Sequence, residues 1–486
     1  MIISDKIYIN KKELGEHLQA LCDLFIYNNP EYYQKKKLKL SVANVFDKLY
    51  HYQFDGMILS LPRGSLEKVR QFYTEHNIPF RYKDERIEHK QINVRLHDTT
   101  IEPQQRKIID LLIKNEGGLV ESVPGSGKTV SILGLISEIK QPTLILMDKH
   151  RLLTQWVQEI EKRLKGKFKL GQLHGDIKEH GDITVGLIQT IHRLYDEDPI
   201  QFNEYGMLIH DEVHGSSSET FMKVINNNFS KYRIGVSGTI DRKDGLQILI
   251  FDVFGKVLDS IKAEDVKHRV TNFRFEIVNT NIPMEIAFTE RWTGTKREPV
   301  IDFTKTLSIL TQNEERNAII ISKVLDAIRI GHTCLILSDR VEHNKNLHKM
   351  LTELGFMSIL LIGETRKKVK WDEIRNDQTV QCIVANTSIA SEGLDLPRLS
   401  ALFLTCPSSN YPKLAQRIGR IRRAIEGKIE PVVYDFVDNL ACSETANGKN
   451  YLLRHIARKR IKLYQKLIDD YNNGKEDTLY GGKDGE

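Results

Sequence analysis

One short stretch constrains the fold more than any other part of the chain: Ser122-Val123-Pro124-Gly125-Ser126-Gly127-Lys128-Thr129. It follows the apolar run 118–120 and precedes apolar residues at helical spacing between 130 and 139. This order predicts a strand, a glycine-rich turn and a helix. Such a turn presents backbone N–H groups to a triphosphate at a helix N-terminus, where partial positive charge attracts anions. We therefore predict a nucleotide-phosphate loop, although Ser122 replaces the first glycine of the strict motif.

The parts of this loop suit different tasks. The backbone of Pro124, Gly125, Ser126 and Gly127 would cradle the phosphates. Lys128 can reach the β and γ phosphates, and the Thr129 hydroxyl can ligate Mg²⁺. The alternative is an ordinary turn with a chance Gly-Lys-Thr, and the predicted strand and helix on its flanks count against it.

Strand candidates alternate with helices in two long segments, which predicts an α/β fold with two parallel-sheet domains in tandem. In the first domain, residues 96–250, the strands are expected near 118–121, 143–147, 183–189, 207–211 and 233–237. In the second domain, residues 316–445, they are expected near 333–338, 358–362, 381–385, 400–405 and 431–436. The remaining segments are predicted as a small α/β accessory domain at 1–95, a connection at 251–315, and a basic C-terminal helix and tail at 446–486.

A pair of carboxylates follows the apolar strand candidate 207–210, in the sequence Asp211-Glu212-Val213-His214. The carboxyl ends of parallel strands are where such sheets bind ligands. We expect Asp211 to hold Mg²⁺ through water, and Glu212 to orient and deprotonate the attacking water. A solvated acidic turn is the alternative, and the phosphate loop argues against it.

The second predicted domain contributes the arginine-rich stretch Gln416-Arg417-Ile418-Gly419-Arg420-Ile421-Arg422-Arg423. Arg420 and Arg423 are three residues apart, so on a helix they would share a face. Paired guanidinium groups suit the charge that develops on a transferred γ-phosphate. Such runs are usually solvated or nucleic-acid-binding faces. Because this domain lacks its own phosphate loop, we favour arginines that act on the nucleotide of the first domain.

Together these motifs resemble the superfamily 2 helicases, whose two RecA-like domains clamp ATP between them; the resemblance covers residues from about 101 to 440. The stretch Asp241-Arg242-Lys243-Asp244-Gly245 is similar to an extension found in phage UvsW-like and XPB-like DNA helicases. The resemblance implies roles for further residues: Gln105 with adenine, Ser237 and Thr239 in coupling hydrolysis to domain movement, Gly393 near the phosphates, Asp395 near the ribose, and Gln416 beside Arg420 and Arg423 in motif VI.

The same resemblance implies a nucleic-acid track along both domains. Leu144 to Trp156 resembles one of its motifs. Hydroxyls and amides on such a track contact phosphates without reading bases, which suits a motor that steps along any sequence. For each such residue, a purely structural role is as good an explanation as a contact with nucleic acid. The implied contact residues are Gln189, Thr190, Arg340 and Thr387.

Residues 1–95 loosely resemble the accessory domain of phage UvsW-like helicases, through Asn29-Pro30 and Pro62-Arg63-Gly64. The resemblance implies binding of branched or damaged duplex DNA. Tyr32 and Tyr33 precede the basic run 35–37, which suits phosphate contact with base stacking. A solvated lysine run beside a tyrosine-containing core explains these residues equally well.

Composition permits nucleic-acid binding without requiring it, because 71 Lys and Arg against 65 Asp and Glu give a net charge of +6. The five scattered cysteines contain no Cys-x-x-Cys pair, which favours a reduced cytoplasmic protein over a zinc site. No apolar run reaches the roughly 18 residues of a membrane span.

We therefore expect a monomeric, ATP- and Mg²⁺-dependent DNA helicase or translocase of a bacterial or phage-infected cell. Its substrates would be forked or branched duplex and single-stranded DNA in replication, recombination, branch migration or repair, alongside other proteins of those processes. The alternatives are an RNA helicase, a duplex translocase that separates no strands, and an ATP-gated binding clamp. A small-molecule kinase is least favoured, since it would not need the second domain.

Overall fold

A computed structural model of the chain describes residues 1–37, 45–122, 126–213, 219–238, 246–261, 271–293, 296–365, 374, 377, 379–387, 396–407, 411–445 and 448–473. Contacts within the chain define two compact units. The first contains residues 1–123 with 127–261, and the second contains residues 124–126 with 262–486.

The first unit is built on a sheet of eight described strands, which are parallel except for one antiparallel edge pair. The central strands are buried apolar runs such as Thr143–Met147, because helices cover both faces of such a sheet. All five predicted strands are present, and Val257–Ile261, predicted to begin a connection, adds the edge beside Gly117–Ser122. Across the sheet the order is Ile177–Glu179, Leu170–His174, Ile183–Leu187, Thr143–Met147, Met207–Asp211, Tyr232–Ser237, Gly117–Ser122 and Val257–Ile261.

Helices follow the strands of this sheet, and their apolar faces form its buried core. A small antiparallel pair, Asn93–Leu96 with Leu164–Lys167, lies in the same unit. The helices are Pro103–Lys114, Lys128–Ile139, His150–Arg163, Ile188–Glu197, Glu219–Asn226 and Gln247–Phe254, with a 3-10 helix at Pro199–Glu204.

The N-terminal part of the first unit has a second sheet, with a separate core that includes Ile7, Leu59 and Phe72. Its strand order is Gln53–Asp55, Ile58–Pro62, Lys6–Asn10, Ile2–Ile3 and Lys83–Asp84. The other elements are the paired strands Ile26–Asn28 and Lys48–Tyr50, the helices Lys11–Leu14, Leu18–Asp23, Pro30–Lys37 and Leu66–Glu75, and the 3-10 helices Gly15–His17 and Arg63–Ser65.

A buried carboxylate fastens this N-terminal sheet to the larger one. Asp252 lies in helix Gln247–Phe254 with its side chain 1% exposed. Its side-chain partners among the described residues come from the N-terminal part of the chain, so the network holds together two segments far apart in sequence. The contacts are Tyr27 Oη at 2.6 Å, Ser65 Oγ at 2.8 Å, His51 Nδ1 at 2.9 Å and Lys68 Nζ at 2.9 Å.

Two buried arginines cross the same junction. Arg63 donates to the carbonyl oxygens of Ser4 at 3.1 Å and Ser230 at 2.7 Å. Arg233 donates to those of Asp5 at 3.1 Å and Asn228 at 2.7 Å. Each guanidinium thus donates to backbone carbonyl oxygens on both sides of the junction and joins the two parts of the chain.

The second unit is built on a parallel sheet of six described strands, with apolar clusters on both faces. The five predicted strands are present, and Arg274–Asn279, predicted as part of the connection, pairs beside Val432–Val437. The order is Arg274–Asn279, Val432–Val437, Leu399–Leu404, Thr333–Ser338, Cys382–Asn386 and Ser358–Leu361. Smaller strands are Met284–Glu285, Ala441–Thr445 and Gly448–Asn450, and the pair Phe288–Thr293 with Lys296–Ile301; the helices are Phe303–Gln312, Glu314–Arg329, Val341–Glu353, Tyr411–Ile421 and Leu452–Asn473.

The predicted C-terminal helix is present as Leu452–Asn473, and one of its basic residues is internal. Arg460 is 3% exposed and makes a bidentate pair with Asp435 at 2.7 and 2.8 Å. Tyr464 donates to the same carboxylate at 2.9 Å. The helix is therefore held to the sheet by a buried charge pair. Neither this helix nor another in the described ranges is long and apolar enough to cross a membrane.

The Asp252 network predicts a stability effect with a defined pH dependence. Burial raises the pKa of Asp252, but hydrogen bonds from His51 and Tyr27 and the charge of Lys68 outweigh it and lower the pKa. The carboxylate therefore stabilises the fold above its unfolded pKa of about 4, and this stabilisation is lost as pH falls through the lower folded value. We expect Asp252→Ala to lower the free energy of unfolding by about 3 kcal/mol at neutral pH.

Denaturant unfolding checks this prediction, with Asp110→Ala as the control, since Asp110 is exposed and pairs with Arg106 on the surface. The difference in unfolding free energy between Asp252→Ala and Asp110→Ala should narrow as pH falls below about 4. Equal unfolding free energies at neutral pH would contradict the role of Asp252.

Candidate active site

The predicted strand and helix on either side of the phosphate loop are both present. Strand Gly117–Ser122 is followed by Ser126, which is fully buried. Gly127 adopts a left-handed φ of +88°, which allows the chain to turn sharply into helix Lys128–Ile139. Pro124 and Gly125 lie outside the described residues.

The loop lysine contacts the acidic pair. Lys128 Nζ lies 3.1 Å from Glu212 Oε1, and the two side chains are 18% and 26% exposed. Glu212 follows the last residue of strand Met207–Asp211 and has a φ of +61°. A non-glycine residue in this conformation is strained, and such strain concentrates at functional sites. The structure therefore brings together two groups that are 84 residues apart in sequence.

The other carboxylate of the pair is buried and oriented. Asp211 is 8% exposed, and its Oδ2 accepts a hydrogen bond from Trp156 Nε1 at 2.9 Å. Burial raises the pKa of Asp211, and the neighbouring Glu212 charge adds to that rise, while Lys128 and Trp156 act in the opposite direction. A cation beside Asp211 would favour its charged form.

Sequence reasoning missed the role of Trp156, which it placed only in a motif of the nucleic-acid track. Trp156 lies on the buried face of helix His150–Arg163, and it is 4% exposed. A buried indole N–H usually finds a hydrogen-bond acceptor, and this general rule was the signal in the sequence that Trp156 has some partner. It could not identify Asp211, which is 55 residues away in sequence.

Gln105 is held against the phosphate loop. It is fully buried in the first turn of helix Pro103–Lys114. Its Oε1 accepts from the backbone N–H of Glu102 at 3.0 Å, and its Nε2 lies 3.4 Å from the carbonyl oxygen of Gly127. These contacts fix the amide beside the loop, and its part in adenine recognition stays a prediction.

The predicted coupling segment reaches the acidic pair. Ser237 is the buried last residue of strand Tyr232–Ser237. The N–H of the next residue, Gly238, lies 3.5 Å from Glu212 Oε2. The carboxylate thus lies between Lys128 and the end of a neighbouring strand. Thr239 and His214 lie outside the described residues.

The donors predicted for a magnesium ion are the hydroxyl of Thr129, in the first turn of its helix, and the carboxylate of Asp211. Within the described ranges, no group of three or more His, Cys, Asp or Glu side chains could hold a metal ion. A nucleotide-bound Mg²⁺ requires few protein ligands, because phosphate oxygens and water complete its coordination shell. The residue set therefore fits a nucleotide-borne magnesium ion.

The structure corrects one prediction about the arginines. Helix Tyr411–Ile421 ends before Arg423, so Arg420 and Arg423 do not share a helical face. The chain leaves the helix because Arg422 pairs with Thr271: its carbonyl oxygen accepts from Thr271 N at 2.7 Å, and its Nε donates to Thr271 O at 2.8 Å. Arg420 and Arg423 are both half-buried. Gly393, Asp395 and the side chain of Gln416 lie outside the described residues.

The predicted nucleic-acid contacts differ in accessibility. Gln189 is exposed in the first turn of helix Ile188–Glu197. Thr190 is 4% exposed and Thr387 is 5% exposed, so little of either side chain reaches the surface. Arg340 is half-buried, and its Nη2 donates to Thr304 O at 2.8 Å. These contacts remain predictions, with Gln189 the most accessible of the four.

Two family models match the chain. Residues 98–242 match the res subunit of type III restriction enzymes, and residues 315–425 match the conserved C-terminal domain of helicases. The chain is 29% identical over 324 residues to the "Probable helicase D10" of Escherichia phage T5. This alignment covers 66% of this chain and 67% of that protein. It is 26% identical over 344 residues to L396 of Acanthamoeba polyphaga mimivirus, whose name describes an ATP-dependent RNA helicase; 70% of this chain and 64% of L396 are covered.

Among solved structures, the type ISP restriction-modification enzyme LlaBIII bound to DNA matches with a TM-score of 0.54 and 14% identity. The match covers 77% of this chain and 30% of that one, and it supports the fold alone. The chain belongs to the superfamily 2 helicases, and its two parallel sheets are RecA-like, as predicted. ATP-dependent activity follows from this family.

The hydrogen bond from Trp156 predicts an effect on ATP hydrolysis. Trp156→Phe keeps an aromatic ring but removes the donor that orients Asp211. We expect the ATPase kcat to fall by about tenfold, as when an outer partner of a ligating carboxylate is lost. Tyr195→Phe is the matched control, since Tyr195 donates to Asn227 O at 2.8 Å away from the acidic pair. Equal kcat values for the two variants would show that the indole hydrogen bond has no part in the reaction.

Proposed function

We propose that the protein is an ATP-driven DNA helicase or translocase that unwinds or remodels branched DNA such as forks and junctions. The observation that carries the hydrolytic part is the 3.1 Å contact between Lys128 and Glu212, beside the buried Asp211. A phosphate-binding cation, a base and a metal-binding carboxylate are the groups that phosphoryl transfer to water requires.

In the proposed reaction Lys128 binds the β and γ phosphates, and Gln105 faces the adenine. Glu212 orients the attacking water and accepts its proton. A magnesium ion held by Thr129 and Asp211 would neutralise charge on the phosphates when bound. Arg420 and Arg423 would stabilise the charge that develops on the transferred phosphoryl group. Gly393 and Asp395 complete the proposed nucleotide contacts.

We propose that hydrolysis is coupled to movement through the end of strand Tyr232–Ser237. Gly238 N–H already lies near Glu212, so a change in the hydrogen bonding of this carboxylate would alter the positions of Ser237 and Thr239. In a motor, alternating states of such a segment switch the grip on nucleic acid. The proposed grip residues are Gln189, Thr190, Arg340 and Thr387, with Gln189 the first to test because it is exposed.

The choice of DNA rests on resemblance and not on contacts. The Asp241–Gly245 extension is similar to that of DNA helicases, and the LlaBIII structure is a DNA complex. The name of L396 describes an RNA helicase, which keeps RNA as the second candidate. The preference for branched DNA would come from the N-terminal sheet, which the Asp252 network fixes to the first RecA-like sheet.

Strand separation measured side by side tests the proposed substrate. Forks, four-way junctions, plain DNA duplexes and RNA duplexes would each be incubated with the protein and ATP. We expect faster separation of forks and junctions than of plain duplex, and little separation of RNA. Preferred unwinding of RNA would favour the RNA helicase. ATP turnover with no strand separation would favour a duplex translocase or a clamp.

The acidic pair gives the sharpest prediction for hydrolysis. Glu212→Gln removes the base while keeping the shape of the side chain, so ATPase kcat should fall by at least about 100-fold. Lys128→Ala should abolish turnover by removing the phosphate contact. Both variants should keep part of their nucleic-acid binding, as measured by filter binding.

Glu161→Gln is the matched control, because Glu161 is an exposed carboxylate in the same unit. It should hydrolyse ATP at the wild-type rate. Wild-type turnover by Glu212→Gln would show that another group acts as the base.

A further inference from the structure

A cavity of about 580 Å³ lies at the junction of the N-terminal sheet and the first RecA-like sheet. Eight basic and three acidic side chains line it. The excess of positive charge is unusual for a junction inside one protein, where buried charges are normally paired.

The three carboxylates already have basic partners, and two of the cations are also paired outside the cavity, Arg86 with Asp84 and Lys231 with Glu88, each at 2.7 Å. Among the described residues, the cations that line the cavity without a salt bridge are Arg63, Arg233, Lys114 and Lys256. Glu116 lies 2.6 Å from Arg86 and 3.6 Å from Lys231. Asp252 lies 2.9 Å from Lys68. The remaining carboxylate, Glu67, is on the surface and 3.8 Å from Arg70.

Two arginines at the base of the cavity are paired only with carbonyl oxygens. Arg63 is 7% exposed and Arg233 is 3% exposed, and the hydrogen bonds of both are with the backbone. Arg233 Nε has no hydrogen-bond partner among the described residues. Burial and the charges of Arg233 and Arg86 lower the pKa of Arg63 against the opposing charges of Asp5 and Asp84, and burial lowers the pKa of Arg233 to about 9 despite the nearby Asp5. Among the described residues, neither of these two arginines therefore forms a salt bridge, although Asp5 lies near both.

The mouth of the cavity carries two further cations. Lys114 ends helix Pro103–Lys114, and Lys256 precedes strand Val257–Ile261. Both side chains are exposed, and in the described part of the chain neither forms a salt bridge. Exposed lysines above buried arginines would draw an anion inward, since a low-dielectric cleft lined by one sign of charge concentrates its field.

We propose that this cavity binds a phosphate group, either a phosphodiester of a nucleic-acid strand or a free polyphosphate. Guanidinium groups match the geometry of phosphate oxygens, and an anion would relieve the repulsion among the arginines. The site is separate from the phosphate loop. The cavity is lined by Gly117, at the amino end of strand Gly117–Ser122, whereas the loop follows the carboxyl end, about 17 Å along the strand. A phosphate bound here would contact the N-terminal and RecA-like segments at once.

The test uses inorganic pyrophosphate and a short oligothymidine without terminal phosphates as probes. Full-length Lys128→Ala protein is the background, so that binding at the phosphate loop is weakened in every sample. Lys114→Ala/Lys256→Ala removes the two cations at the mouth without disturbing the buried arginines. Lys162→Ala/Lys165→Ala removes two exposed charges elsewhere in the same unit and is the control. Thermal unfolding confirms that both variants are folded.

Pyrophosphate binding is measured by calorimetry, alone and in the presence of the oligothymidine. We expect about tenfold weaker pyrophosphate binding in Lys114→Ala/Lys256→Ala than in the control, from the loss of charge-assisted contacts. Displacement of pyrophosphate by the oligothymidine in the control would identify the ligand as a nucleic-acid strand, and no displacement would identify a free polyphosphate. Equal pyrophosphate affinities in the two variants, or no binding in the control, would overturn the proposal.

Discussion

The contact between Lys128 and Glu212 depends on the alignment of three neighbouring parallel strands. Strand Gly117–Ser122 leads to the lysine, strand Met207–Asp211 leads to the carboxylate, and strand Tyr232–Ser237 lies between them. Because parallel strands end at one edge of the sheet, three segments far apart in sequence deliver their functional groups to the same place. The order of the sheet is therefore what allows this chain to assemble the proposed hydrolytic site.

The Asp252 network packs the N-terminal region against the first RecA-like part of the chain, so this region is not a module joined by a linker alone. Tyr27, Ser65 and Lys68 all contact the carboxylate of Asp252, on a helix that packs beside the first RecA-like sheet. Removing the N-terminal region would leave the buried Asp252 without Tyr27, His51, Ser65 and Lys68, and Arg233 without the carbonyl oxygen of Asp5. The contribution to substrate choice that we propose for this region is therefore better studied with surface substitutions than by deletion.

Much of the fold and of the acidic pair could be predicted from the sequence, because parallel strands are apolar runs and the phosphate loop has a local pattern. What could not be predicted depends on tertiary partners. Trp156 gives no sign in the sequence that its acceptor is Asp211. Likewise, nothing in the sequence shows that the helix ends at Ile421, where Arg422 pairs with Thr271. Strands Val257–Ile261 and Arg274–Asn279 lie in a charged, irregular stretch where pairing with a sheet outweighs the weak local pattern.

The central claim is that nucleotide phosphates bind at Lys128 and that Glu212 then acts on water. The most direct measurement is a crystal structure with ADP, Mg²⁺ and aluminium fluoride, a mimic of the transferred phosphate. The account predicts that Lys128 contacts the phosphate mimic, that Asp211 is on the side of the magnesium ion, and that Glu212 has exchanged Lys128 for the attacking water. A nucleotide bound elsewhere, or an intact Lys128–Glu212 contact beside a bound mimic, would contradict it.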